Sequence, residues 1–194
     1  MRKLIFATNN QHKVDEIKSI DNIGFDIISL KEAGINVDIP EPHNTLEKNA
    51  TEKSTVIYTL TGEDCFSEDT GLEVESLNGE PGVNSARYAG EGRSFKNNVE
   101  KLLLNMKGKS NRNARFRTII SLILQGKEYT FEGICKGIIL AEVKGDGGFG
   151  YDPVFLPVGA TKSFAEMDIN EKNKYSHRKK AMDKLISFLN TNNC

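Results

Sequence analysis

The chain has 194 residues, with 26 basic and 27 acidic side chains and a formal net charge of −1 at pH 7. This length fits one domain with a sizeable hydrophobic core. The near-neutral charge argues against a nucleic-acid or membrane-surface function, since proteins with either function usually carry a basic excess. No stretch resembles a membrane span or a secretory leader, and we expect a cytoplasmic protein.

Three cysteines lie far apart in the sequence, at Cys65, Cys135 and Cys194. Their odd number, the lack of a C-x-x-C pair and a total of only three histidines argue against a zinc site. Reduced thiols in an intracellular compartment are the simplest interpretation.

The first third of the chain alternates between strand and helix patterns. KLIFA (residues 3–7) predicts a buried strand, and a helix with Val14, Ile17 and Ile20 on one face follows it. FDIISL predicts a second strand, and the two prolines of NVDIPEPHN predict an irregular loop. The next helix is expected to bury a stripe made of Leu46, Ala50, Ile57 and Leu60.

An acidic segment, FSEDTGLEVESL, follows that helix. It predicts a strand that ends at Glu68 and Asp69, where Thr70-Gly71 turns the chain, and a new strand over LEVESL.

The remaining elements predict an α/β fold with a mixed sheet. Phe95, Val99, Leu102, Leu103 and Met106 form the clearest amphipathic helix. ARFRTIISLIL, KEYTFEGIC and GIILAEV predict three strands, the first two joined by a turn at residues 125–127. A last helix starts near His177 and is expected to bury Ala181, Leu185 and Leu189.

Two segments imitate phosphate-binding loops. GDGGFG (residues 145–150) has the G-x-G-x-x-G spacing, but Pro153 and its neighbours oppose the helix that a dinucleotide-binding fold requires there. Gly108-Lys109-Ser110 matches the end of a P-loop, but Leu103 occupies the position of the first glycine. We exclude both folds.

Two predicted helices begin with cations. Lys13 follows Thr8-Asn9-Asn10 in the first turn of one helix, and residues 177–180 (HRKK) begin the last helix. The positive end of a helix dipole disfavours cations, and a bound phosphate would remove this conflict. Solvated basic side chains are the alternative at both places.

The neighbouring carboxylates of Glu68 and Asp69 have two interpretations. Carboxylates that are held close share a cation or acquire a raised pKa, and Mg²⁺ prefers such oxygen ligands. A carboxylate beside a metal also serves as general base toward water. The alternative is two acids on opposite faces of a strand, one of them solvated.

A magnesium nucleoside triphosphate would match three of these features together: the acidic strand, the two helices that begin with cations, and the loop of aromatic and glycine residues. The lysines and the metal would bind the phosphates. The base would require an aromatic face and directed hydrogen bonds, for which the candidates are Phe149, Asp152, His177 and Arg178.

Five segments, in this order, resemble signatures of the inosine triphosphate pyrophosphatase family: ATNNQHK, EDTGLEVESLNGEPGVNSARYAG, GGFGYDPVF, FAEM and EKNKYSHRKKA. The resemblance covers nearly the whole chain. It implies hydrolysis of deaminated purine nucleoside triphosphates (ITP, dITP, XTP) to the monophosphate and pyrophosphate. It also implies Mg²⁺ as cofactor, a homodimer, and a single two-lobed α/β domain over residues 1–194 with a long mixed sheet and the active site in a cleft.

The resemblance also implies residue roles. Asp69 matches the catalytic base and a magnesium ligand, and Glu68 and Glu41 match further metal-associated acids. The matched substrate-binding positions are Thr8, Asn9, Asn10, Gln11, His12, Lys13, Lys53, Thr70, Phe149, Gly150, Tyr151, Asp152, Lys172, His177 and Arg178. Among these, Lys53 and Lys172 match lysines assigned to the triphosphate.

One departure from the family pattern concerns the metal. The family often has ENA after the proline loop, whereas this chain has EKNA with Lys48 at the glutamate position. Glu47 is adjacent but points about a quarter turn away on a helix. The second metal carboxylate therefore stays open among Glu41, Glu47 and Glu68.

Two other functions stay open at this point. A pyrophosphatase for modified pyrimidine triphosphates, as in the Maf-like group, would share the fold, and a nucleotide-binding module without turnover would share the binding residues. A nucleic-acid binder is disfavoured, because aromatic residues do not interleave with the basic segment.

Overall fold

The computed structural model describes residues 2–21 and 23–191. The chain divides into two compact units that are built from separate segments. The first unit contains the residues up to Asp69, Thr118–Gly133 and the residues from Arg178 onward. The second unit contains Thr70–Arg117 and Ile134–His177.

The described residues form one mixed sheet with flanking helices, which confirms the predicted α/β class. The strands are β1 (Lys3–Phe6), β2 (Asp26–Ser29), β3 (Cys65–Val74), β4 (Pro81–Gly82), β5 (Asn113–Leu124), β6 (Lys127–Ile139) and β7 (Phe155–Pro157). The helices are α1 (Gln11–Lys18), α2 (Leu46–Thr61), α3 (Phe95–Asn105), α4 (Ile169–Asn173) and α5 (His177–Thr191).

Strand order in the sheet is β2-β1-β3-β5-β6-β7, and β4 pairs with β3. β1 runs parallel to both β2 and β3. The β3–β4 and β6–β7 pairs are antiparallel. β3 is therefore a central strand with a neighbour on each side, and its side chains are largely shielded from water.

The first unit has its own hydrophobic core. Leu4 and Phe6 of β1 pack in one cluster with Val14 and Ile17 of α1 and with apolar residues of β5 and α5. The rings of Phe6 and Phe66 stack with their centroids 4.5 Å apart. A smaller cluster contains Leu30, Ile57 and Cys65. These contacts pack β1, α1 and β3 together, and α1 and β3 carry the predicted site residues Lys13, Glu68 and Asp69.

The second unit has a separate core under α3. Val99 and Leu102 of α3 and Met106, which follows the helix, pack in one cluster with Leu72 of β3 and Phe116 of β5. Aromatic residues belong to the same cluster, and the rings of Phe116 and Phe155 are in edge contact with their centroids 4.7 Å apart. The amphipathic pattern of α3 is confirmed.

Local sequence determines where the helices of the first unit begin and end. Asn10 caps α1 and Thr45 caps α2, each through its side-chain oxygen. Gly62 ends α2 in the left-handed conformation with φ of 70°, which glycine adopts without strain. α5 begins at His177, as the periodicity predicts.

Four sequence predictions are wrong. β3 continues through Glu68 to Gly71 without turning, and residues 75–77 form a 3₁₀ turn instead of a strand. The second and third strands predicted in the C-terminal half are one strand, β6. Gly137 lies within β6, where the lack of a side chain allows β7 to approach closely. Leu60 is exposed, since α2 turns that position to solvent.

Cys65 and Cys135 are buried, and Cys194 lies outside the described residues. Burial, assisted by the charge of Asp64, raises the pKa of the Cys65 thiol to about 12. Among the described residues no helix is long and apolar enough to cross a membrane.

Gly71 lets β3 and β4 approach closely, and we predict that Gly71→Ala destabilises the protein by about 1–3 kcal/mol. A Cβ at this position would lie 2.6 Å from the carbonyl oxygen of Gly82, which is backbone and cannot rotate away. Urea unfolding measures the effect. The matched control is Gly92→Ala, where a Cβ meets no atom within 4 Å, and a change within about 0.5 kcal/mol is expected. Equal stabilities of the two variants would contradict the close approach.

Candidate active site

Glu68 and Asp69 lie in the middle of β3, where consecutive side chains point to opposite faces of the sheet. Both are buried, with 0% and 6% of their surface exposed. The alternative in which one acid is solvated therefore does not hold. The direct ion pairs of the two carboxylates differ: Lys13 and Arg178 contact Glu68, and Lys53 contacts Asp69.

Glu68 is bound by two cations. The Arg178 guanidinium donates from Nε to Glu68 Oε2 at 2.7 Å and from Nη2 to Oε1 at 3.0 Å. Lys13 Nζ lies 3.1 Å from Glu68 Oε1. Burial alone would raise the pKa of Glu68, but the charges of Arg178 and Lys13 outweigh it and hold this pKa well below its usual range.

A second buried acid, Glu16 of α1, completes this group. Arg178 Nη1 donates to Glu16 Oε2, so one guanidinium binds two carboxylates. Burial opposes the charge of Arg178, but Glu68 and Glu16 together raise the pKa of Arg178. Sequence reasoning missed Glu16. Its only signal was an acid on the apolar face of α1, next to Ile17.

Asp69 has a different environment. Lys53 Nζ donates to Asp69 Oδ1 at 3.2 Å and to Glu41 Oε1 at 2.6 Å, so a single ammonium serves two carboxylates. Asn49 Nδ2 donates to Asp69 Oδ2 at 3.3 Å.

The pKa values of Asp69 and Lys53 depend on burial and on the neighbouring charges. Burial raises the pKa of Asp69, the nearby Glu41 adds to this, and Lys53 and Lys13 offset it only in part. Burial opposes the charge of Lys53, but the two carboxylates outweigh it and raise the pKa of Lys53. Asp69 is thus the more basic carboxylate of the adjacent pair.

The first predicted phosphate segment is built around the start of α1. Asn10 caps the helix through a hydrogen bond from Lys13 N, and Thr8 Oγ1 accepts from Asn10 N at 3.2 Å. Asn9 binds the carbonyl of Val37 at 2.9 Å, and Gln11 binds Asp15. His12 is exposed. The structure brings Lys13 to Glu68, whereas Asn9 binds the Val37 backbone and Gln11 binds Asp15 of its own helix.

The other predicted substrate residues belong to the second unit. Asp152 Oδ2 accepts from Phe149 N at 2.8 Å and from Lys172 Nζ at 2.5 Å; Asp152 and Lys172 are buried and Phe149 is half-buried. Lys172 Nζ also lies 5.3 Å from the ring centre of Phe149. The structure therefore brings together Phe149, Asp152 and Lys172.

The residues around this cluster are held by ring stacking and hydrogen bonds. His177 stacks on Phe116 with ring centres 4.7 Å apart, and Tyr151 donates its hydroxyl to the carbonyl of Ser85 at 2.8 Å. Gly148 has φ of +68° and lies so close to Asp152 that a Cβ would collide with Oδ2. Gly150 also has positive φ, and Thr70 is half-buried.

Few acidic side chains of the described residues lie close enough together to bind a metal ion. Within residues 2–21 and 23–191, no group of three or more His, Cys, Asp or Glu side chains could hold a metal ion. Asp69 and Glu41 form a pair through Lys53. Glu47 and Lys48 lie on the exposed side of α2.

Comparison with known proteins gives one consistent result. The model of the Ham1 family matches residues 4–188. A dITP/XTP pyrophosphatase of Porphyromonas gingivalis is 50% identical over 190 residues, which cover 97% of this chain and 98% of that protein. One of Christiangramia forsetii is 49% identical over 187 residues, or 96% and 98% of the two chains. The Ham1 protein of Staphylococcus aureus has a similar structure, with a TM-score of 0.88 at 35% identity over 98% of this chain and all of that one.

Arg178 neutralises two buried carboxylates, and we predict that Arg178→Met costs about 3–5 kcal/mol of stability, because it leaves both charges without their guanidinium. Chemical unfolding measures this. Arg115→Met is the control, since Arg115 pairs with Glu73 at the surface and should contribute no more than about 1 kcal/mol. Similar losses of unfolding free energy in both variants would contradict a larger contribution from the buried ion pairs of Arg178.

The lowered pKa of Glu68 predicts a pH-dependent contribution to stability. Relative to Glu68→Gln, the advantage of the wild type is fully present above the ordinary carboxyl pKa of 4.5. It should shrink as pH falls below that value, because the unfolded chain takes up a proton that the native Glu68 resists. Unfolding free energies of both proteins between about pH 6 and about pH 3 test this. A difference that is independent of pH would contradict it.

Proposed function

Because the chain belongs to the Ham1 family, we propose that it hydrolyses dITP, ITP and XTP to the nucleoside monophosphate and pyrophosphate. Relatives named dITP/XTP pyrophosphatase match it over nearly their whole length. The observation that carries the proposal is the environment of Asp69, a buried carboxylate of raised pKa fixed between Lys53 and Asn49. Removal of deaminated purines from the nucleotide pool is the biological result.

Asp69 is the proposed general base. Lys53 and Asn49 hold its two oxygens in place, and its neighbour Glu68 stays ionised and bound to Arg178. Asp69 would take a proton from a water molecule directed at the α-phosphorus. Lys13 and Lys53 provide positive charge for the phosphate oxygens, and pyrophosphate leaves with its developing charge stabilised.

We also propose Mg²⁺ as cofactor, bound by Asp69 and Glu41. Their donor set fits this ion, which takes hard oxygen ligands from one or two carboxylates and from phosphates. One ammonium serves both acids, so negative charge remains for a second cation. Both oxygens of Glu68 already accept hydrogen bonds from Arg178, so we favour Glu41 over Glu68 as the second ligand. The bound ion would neutralise the triphosphate and stabilise the leaving pyrophosphate.

Base selection is assigned to the matched positions Phe149–Asp152, His177 and Arg178. Hypoxanthine and xanthine carry an oxygen at C6 where adenine carries an amino group. Donors aimed at that oxygen would stay unpaired against adenine, which lowers the rate by a factor of about 10⁴ or more. Nε, Nη1 and Nη2 of Arg178 each donate to a carboxylate, and the proposed donors to the base are Arg178 and backbone N–H groups. A cytoplasmic homodimer is proposed on the family resemblance.

Pyrophosphate release with magnesium tests the reaction and the base. We predict fast release from ITP, dITP and XTP, little from dATP and dGTP, and none after chelation of the metal. Asp69→Asn should lower kcat by about 10²- to 10⁴-fold, because an amide cannot accept the proton. Asp183→Asn, which changes an exposed acid paired with Lys179, is the control and should keep full activity. Release from pyrimidine triphosphates alone would overturn the substrate class, and full activity of Asp69→Asn would overturn the base.

A further inference from the structure

We propose that Asn49 is a positioning residue for this reaction. It fixes the carboxylate of Asp69 and the loop that carries Glu41 in one arrangement. The inference rests on the proposed function, because it assigns Asn49 a task relative to the proposed base and metal ligands. The sequence comparison included Asn49 in the EKNA segment but assigned it no role.

The first observation is how the Asn49 side chain is bound. Asn49 is buried, with 1% of its surface exposed. Its Oδ1 accepts from the backbone N–H of His43 at 2.9 Å, and its Nδ2 donates to the carbonyl of His43 at 3.1 Å. The amide thus pairs with both backbone groups of one loop residue, only two positions after Glu41.

These two bonds also determine which way the amide faces. An asparagine side chain has two N–H donors on one side and a carbonyl acceptor on the other. The His43 backbone offers one N–H donor and one carbonyl acceptor. Rotating the amide by 180° would place its NH₂ group against the His43 N–H and its oxygen against the His43 carbonyl. The second N–H is therefore aimed at Asp69 Oδ2, 3.3 Å away.

The second observation is the spacing on α2. Asn49 and Lys53 are four residues apart and lie on the same helix face. Lys53 binds Asp69 Oδ1 and Asn49 binds Oδ2, so one helix turn holds both oxygens of the carboxylate. Lys53 also binds the Glu41 side chain. Lys53 thus connects Asp69 of β3 to Glu41 through ion pairs. Asn49 connects Asp69 to His43 of the same loop through hydrogen bonds of its amide.

The consequence concerns catalysis more than binding. A general base and a metal ligand must hold their oxygens in a productive orientation, and partners of such groups commonly contribute about 10- to 100-fold. Without Asn49, Asp69 Oδ2 loses its protein donor and the backbone at His43 loses both bonds. Lys53 still neutralises the charge, so substrate binding should change less than turnover.

The test compares Asn49→Ala and Asn49→Asp with Asn98→Ala. Asn98 is a matched control, because it is a buried asparagine (2% exposed) that accepts from Ala89 N and donates to the carbonyls of Ser85 and Ala86. It has no contact with Asp69 or Glu41 among its hydrogen bonds. Each protein is assayed for kcat and KM on ITP with magnesium, for thermal stability, and for amide hydrogen exchange over residues 41–45 in the absence of nucleotide.

We expect Asn49→Ala to lower kcat by about 10- to 100-fold with little change in KM, and to speed exchange at His43. Asn49→Asp keeps the volume and the acceptor for His43 N–H but places a second carboxylate at Asp69, so its kcat should fall at least as far. Asn98→Ala should lose comparable stability while its kcat stays within about twofold of the wild type.

Two results would overturn the inference in distinguishable ways. If the wild type is active and Asn49→Ala loses no more kcat than Asn98→Ala at a similar loss of stability, the inference fails alone. If the wild type hydrolyses no nucleoside triphosphate, the proposed function fails and the inference fails with it. If Asn49→Ala does not fold, Asn49→Asp decides by the same comparison.

Discussion

Burying Glu68 and Asp69 in the middle of a central strand requires cations on both faces of the sheet, because an ionised carboxylate without a partner is very costly in a protein interior. α1 and α5 supply Lys13 and Arg178 on one face, and α2 supplies Lys53 on the other. The placement of these three helices follows from that requirement as much as from apolar packing. The core clusters hold the helices against the sheet, and the ion pairs determine which residues face it.

The two carboxylates differ because their cations are distributed unequally. Glu68 receives a bidentate guanidinium and an ammonium, whereas Asp69 shares one ammonium with Glu41. Two adjacent acids on one strand thereby acquire opposite pKa shifts. This separation is a common way for a protein to assign different tasks to similar side chains. A fully compensated acid holds structure together, and a partly compensated one keeps its capacity for a proton or a metal.

Periodicity predicted most of the elements, because apolar spacing reports directly on burial. β1, α1, α3 and α5 follow from it. It failed at Gly71 and Gly137, where glycine permits a neighbouring backbone to come close instead of turning the chain. Thr-Gly is an ordinary turn signal, and nothing local distinguishes a turn from a close approach of a distant strand.

The sequence motifs pointed to some residues of the candidate site and not to others. Motif resemblance proposed Asp69, Lys13 and Lys53 as site residues, and the structure places Lys53 against Asp69 and Glu41, and Lys13 against Glu68. It did not identify Glu16 or Asn49, because each matters through a partner far away in the sequence, Arg178 for Glu16 and Asp69 for Asn49. Residue types reveal a capacity for hydrogen bonding, whereas the fold determines which groups meet.

The contact between Glu16 and Arg178 spans 162 positions of the chain, and this has a consequence for biosynthesis. A ribosome makes Glu16 and Glu68 long before Arg178, and the entire second unit lies between them in the sequence. The nascent first unit therefore carries two acids without their guanidinium until the last helix emerges. Domains made first usually fold first, but here the segment made first completes its structure last, after the second unit has been synthesised.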